Sequence, residues 1–110
     1  MPYDEELADR LRAALSTTPR VSEKRMFGGL AFLVDGALAV AASGRGGLMV
    51  RCDPALADEL VARPGVQRMV MRGREMAGWL RVDDAAADDE SSLREWVAVG
   101  RSAAAGSLPT

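Results

Sequence analysis

At 110 residues, with 48% hydrophobic and 27% charged side chains, the chain has the makeup of one globular domain with a modest single core. It holds no histidine and one cysteine, Cys52. That excludes Ser-His-Asp and Cys-His catalysis, histidine-bearing or cysteine-rich metal sites, and an intrachain disulfide. A net charge of −2 excludes a uniformly basic nucleic-acid binder, although residues 45–82 carry seven Arg against four acids and residues 83–99 six acids against Arg94.

No apolar run approaches the roughly 20 residues that span a bilayer, and the acidic start Met1-Pro2-Tyr3-Asp4-Glu5-Glu6 does not read as a signal peptide. The expected location is therefore cytoplasmic, with no cofactor. In chain order, residues 4 to about 17 read as a helix: Asp4 is the N-cap, and Leu7, Ala8, Leu11, Ala14 and Leu15 share one face. Thr17-Thr18-Pro19 ends it. Val21 to Phe27 reads as a first strand.

Leu30 to Val34 and Ala37 to Ala41 are two apolar runs joined by Asp35-Gly36, a strong hairpin signal because both turn positions need positive φ. A two-residue turn there pairs Val34 with Ala37, Phe32 with Ala39 and Leu30 with Ala41 on one face. Leu33 with Leu38 and Ala31 with Val40 then occupy the other. Both faces are apolar, whereas a half-exposed pair alternates apolar with polar. Something should cover the second face: a helix of the same chain, or a second subunit meeting Ala31, Leu33, Leu38 and Val40 in a homodimer.

The loop Ser43-Gly44-Arg45-Gly46-Gly47 leads into a strand, Leu48 to Cys52, so it presents no helix N-terminus to a phosphate and reads as a mobile connection. Asp53-Pro54 opens a short helix with Leu56, Leu60 and Val61 inward, stopped by Pro64-Gly65. Val66 to Arg72 and Met76 to Val82 read as strands around a turn at Gly73-Arg74-Glu75. Asp83 to Asp89 is an acidic connector, and a last helix runs from about Asp89 to Ala105, before the tail Gly106 to Thr110. The expected fold is a single α+β domain over residues 1–110, a two-layer antiparallel sheet of about five strands with helices in the order α-β-β-β-α-β-β-α.

The candidate chemistry is sparse. Arg51, Arg68, Arg72, Arg74 and Arg81 offer a possible anion or nucleic-acid contact if their strands are neighbours, with Arg68 and Arg72 opposite Met69 and Met71 and Arg81 sharing a face with Trp79. The plainer reading is a solvated face whose arginines pair with the acids of 83–90. Trp79 and Trp96 read as core anchors, Met26, Met49, Met69, Met71 and Met76 as fillers of an aromatic-poor core, and Cys52 as a buried inert thiol. An enzyme working through carboxylates or Arg would need a cleft with paired groups near Glu23, Asp53 or Glu75.

Taken together, Met26-Phe27-Gly28-Gly29, Phe32-x-Val34-Asp35-Gly36, Leu48-Met49-Val50-Arg51, Arg63-Pro64-Gly65-Val66, Gly73-Arg74-x-Met76-x-Gly78-Trp79 and Leu93-x-x-Trp96-Val97 resemble the N-terminal domain of the TfoX/Sxy competence regulators. The resemblance spans roughly residues 4 to 108. It implies a secretion-chaperone-like α+β fold that often dimerises and a role in transcription regulation alongside a cyclic-AMP-receptor-type factor; no catalytic residues are established for that family, so the resemblance transfers none. The better-known regulators carry a second, helical C-terminal domain, whereas this sequence ends after its last helix, so the expectation is a stand-alone domain. The readings that follow are a non-enzymatic protein-interaction domain, then a direct nucleic-acid binder, then a small enzyme of unknown reaction.

Overall fold

The computed structural model describes residues 3–26 and 28–106, apart from the side chain of Met71. Phe27, read above as the end of the first strand, and residues 107–110 of the tail lie outside the described residues. The elements in chain order are α1 (Glu5–Ala14), β1 (Val21–Met26), β2 (Gly29–Val34), β3 (Ala37–Ala42), β4 (Leu48–Arg51), a 3-10 turn (Pro54–Leu56) running into α2 (Ala57–Leu60), β5 (Val66–Met71), β6 (Arg74–Val82), a second 3-10 turn (Asp84–Ala87) and α3 (Glu90–Gly106). All six strands join one antiparallel sheet in the order β1-β2-β3-β4-β6-β5. The α+β architecture is the expected one; each of the six segments read as a strand is a strand, so the sheet has six rather than about five, with β4 between β3 and β6.

The helices begin where side chains satisfy their free amides. Asp4 accepts from the Glu6 and Leu7 N–H groups at 3.0 and 3.2 Å, and Asp89 accepts from the Ser92 N–H at 3.0 Å and its hydroxyl at 2.7 Å. Asp53 accepts from the Ala55 N–H at 3.0 Å, as its position before Pro54 implied, but the turn it opens is 3-10. The tighter pitch turns Leu56 outward, 45% exposed, and leaves Ala57 and Leu60 to face the core.

The helices pack on one side of the sheet. Leu7, Leu11 and Leu15 of α1 and its following turn, Leu60 of α2, and Leu93, Trp96 and Val97 of α3 meet Leu30, Phe32, Val40, Leu48, Val50, Leu80 and Val82 from the strands. Trp96 is a core anchor as expected, its indole N–H donating to the Ala86 carbonyl at 3.3 Å. Among the described residues no methionine belongs to this core.

Two turns set the strand registers. Asp35 and Gly36 have φ of 52° and 81°, the two-residue turn anticipated from the sequence. Arg72 and Gly73 repeat it at 52° and 77°, so the β5–β6 turn sits there and β6 starts at Arg74, two residues before the expected Met76. Within the first hairpin a bulge intervenes: Leu33 pairs Leu38, yet Phe32 pairs Val40, leaving Ala39 as the extra residue on β3. This corrects the expected pairing. Val40, placed above on the association face with Ala31, moves to the helix-covered face with Phe32, and Ala41 takes its place opposite Ala31.

Candidate functional site

The second face of the sheet carries the candidate site. Strand register assigns to it Ser22, Lys24 and Met26 of β1, Ala31 and Leu33 of β2, and Leu38 and Ala41 of β3. From the other half come Met49 and Arg51 of β4, Trp79 and Arg81 of β6, and Gln67 and Met69 of β5. Ala31, Ala41 and Met49 are buried there by their own neighbours, Met26, Leu33, Leu38, Met69 and Trp79, and no helical residue belongs to this cluster. The expected covering helix is absent from this face among the described residues. Trp79 and three of the methionines, read from the sequence as core, lie on it instead.

Charge on this face is one-sided. None of the strand residues placed on it by register is a carboxylate, and Asp83 just beyond β6 is taken by the Gln67 amide at 3.4 Å. The cations gather on the β4-β6-β5 half, where Arg51 lies over the Trp79 ring at 6.0 Å. Arg81 reaches the Ser43 hydroxyl and the Arg45 carbonyl, both at 3.4 Å. The β1-β2-β3 half is apolar apart from Ser22 and Lys24 at its edge.

The five arginines singled out from sequence do not share one surface. Arg68 and Arg72 line one cavity of about 610 Å³ with Arg81. Arg68 also pairs with Asp58 of α2, on the helix side of the sheet. Arg51 lines a different cavity, and Arg74 lies exposed at the start of β6. Arg45 was missed. It sits in the glycine-rich loop and lines the same cavity as Arg81, and the one sequence signal for it was its place at the start of the Arg-rich stretch 45–82. Besides the two bonds from Arg81, that loop, read as a mobile connection, is held by Ser43 N–H to the Gly47 carbonyl, Gly46 N–H to the Ser43 carbonyl, Arg45 N–H to the Ser43 hydroxyl, and Gly47 N–H to the Asp84 carboxylate. The acids of 83–90 therefore do not neutralise these arginines: Asp84 caps a backbone amide, and Glu90 pairs with Arg94.

A family model for the TfoX N-terminal domain matches residues 13–104, most of the chain and all six strands. The chain belongs to the TfoX N-terminal domain family. No curated protein and no solved structure is significantly similar to it.

The remaining chemistry-bearing groups of this TfoX N-terminal domain are tied into its fold. Cys52 is buried at the end of β4, and burial, aided by the Asp53 carboxylate, pushes its thiol above the ordinary range. A cleft does lie beside Asp53, a cavity of about 640 Å³ between the Pro54 turn and α3. Asp53 caps the turn, and Glu95 across the cleft is held by Arg63, which also lies over the Trp96 ring at 5.3 Å. Glu23 is bound by Arg12 through two hydrogen bonds of 2.7 and 2.8 Å, which hold its carboxyl below the usual range. Among the described residues no group of three or more Cys, Asp or Glu side chains is arranged to hold a metal, and no helix is long and apolar enough to cross a membrane.

Proposed function

We propose that this TfoX N-terminal domain acts without catalysis, as a protein-interaction domain in transcription regulation, and that it works as a homodimer joined through the apolar half of the open sheet face. The observation that carries the reading is that face: a cluster of Met26, Ala31, Leu33, Leu38 and Ala41 with no helix over it among the described residues. Met26, Leu33 and Leu38 are only partly buried there, so completing their burial recovers a share of the roughly 1.5–3 kcal/mol that full burial of such a side chain is worth. A second copy fits the charge distribution. Two apolar halves meet isologously while the arginines of the β4-β6-β5 halves stay outside the contact. Val40 drops out of the contact set, which becomes Ala31, Leu33 and Leu38, with Met26 and Ala41 joining.

The regulatory role rests on family membership, whose better-known members regulate competence genes, and on the structural employment of Glu23, Asp53 and Glu95. Affinity capture from native extract at several growth states, followed by reconstitution with the purified partner, is the test. A transcription factor that binds the purified chain supports the role. Failure to recover any partner that rebinds in purified form overturns it.

A further inference from the structure

The cavity beside Arg81 has a chemistry that the dimer reading does not use. Arg45, Arg68, Arg72 and Arg81 line it with the Ser43 hydroxyl, and no carboxylate does. Arg68 is neutralised by Asp58. Among the described residues Arg45, Arg72 and Arg81 have no carboxylate within 4.0 Å, so the cavity holds three uncompensated guanidinium groups. Like charges gathered on one concave surface repel, and an anion relieves that repulsion. The two hydrogen bonds of Arg81, both at 3.4 Å, are long, and they leave its guanidinium with donors to spare.

The cavity is also built in a particular way. Arg45 is carried by a loop pinned to Ser43 and Asp84, Arg72 by a tight turn, and Arg81 by the middle strand of a three-strand ladder. Met49 and Met69 supply an apolar lining between them. A volume of about 610 Å³ falls within the range of small-ligand sites, roughly 300–1,000 Å³. Guanidinium groups match phosphate oxygens in geometry as well as charge. We propose that this cavity binds a small organic phosphate, a mono- or diphosphate ester whose phosphate meets Arg45, Arg72 and Arg81 and whose organic part packs on Met49 and Met69.

The test is calorimetric titration of the full chain at low and moderate salt with ADP, inorganic pyrophosphate, adenosine and a short single-stranded oligothymidylate. ADP and pyrophosphate should bind, ADP more tightly, adenosine should not, and affinity should fall as salt rises. Arg81→Gln should weaken ADP by about tenfold or more, the loss of a charge-assisted contact. Arg45→Gln and Arg72→Asn, both exposed and the second suited to positive φ, should each weaken it several-fold. Arg74→Gln, outside the cavity, should leave it unchanged. No heat with ADP or pyrophosphate at low salt overturns the proposal. So does ADP affinity that survives both Arg45→Gln and Arg72→Asn in chains whose circular dichroism matches the parent, and so does binding of the oligonucleotide without ADP binding.

Discussion

The two faces of the sheet are built from alternate residues of the same strands, yet they have opposite characters. Phe32 and Leu33 are adjacent in β2. Phe32 is fully buried under the helices, and Leu33 is only partly buried, among side chains of its own face. The covered face is aliphatic at its centre, with Phe32 and Trp96 of α3 as aromatic anchors and, among the described residues, no methionine; its charged residues Glu23, Arg25 and Arg68 lie on the two edge strands. The open face has methionines, alanines, one tryptophan and a cationic half. Burial by helices selects shapes that lock into one packing. The open face instead carries flexible thioethers and guanidinium groups, side chains that adapt to what they meet.

The two faces should differ most at Phe32 and its neighbour Leu33. Phe32→Ala should cost about 3–5 kcal/mol in chemical denaturation, because a fully buried ring leaves a cavity. Leu33→Ala, one residue away, should cost the chain's own fold less than about 1 kcal/mol. Equal losses at the two positions would mean that the faces do not differ as described.

Gly100 sharpens the covered side. A Cβ there would stand 2.5 Å from the Ala39 carbonyl oxygen and 2.7 Å from Val40 Cγ1, so α3 lies directly against the β3 bulge. Gly100→Ala should destabilise by about 1–3 kcal/mol despite the better helix propensity of alanine. A stabilised variant would show that the helix has room to move off the bulge.

A smaller effect concerns the start of α3. Hydrogen bonds from the Ser92 hydroxyl and N–H hold the Asp89 carboxyl below its usual range. A carboxyl lowered in the folded state contributes stability above its unfolded value, near 3.8, and loses it as pH falls through the folded one. Asp89→Asn should therefore flatten that acid limb of the stability profile, measured by thermal unfolding. The smallest effect is at Cys52, whose raised thiol should react slowly with a disulfide reagent in the native chain and quickly once it is unfolded.

Much of this architecture is legible in the sequence, because its strongest signals are local. Asp35-Gly36 marks a turn by its need for positive φ, and Asp4 and Asp53 mark caps by their side-chain oxygens. Arg72-Gly73 makes the same turn as Asp35-Gly36, but arginine does not announce positive φ, so the start of β6 reads two residues late. The bulge at Ala39 has no local mark at all. It answers to α3 sixty residues on, and it alone moves Val40 from one face to the other. The arginine cavity was half legible for the same reason. Alternation gave the faces of Arg68 and Arg81, whereas the approach of Arg45 depends on the Gly47 to Asp84 hydrogen bond between distant segments.

Light scattering on the purified chain at micromolar concentration tests most directly whether the open face is a place of association. The wild-type chain should scatter at twice the 11.7 kDa of one chain, and Leu38→Glu should return a folded monomer with little loss of unfolding free energy. A wild-type mass of one chain, or a Leu38→Glu variant that remains dimeric, would contradict it.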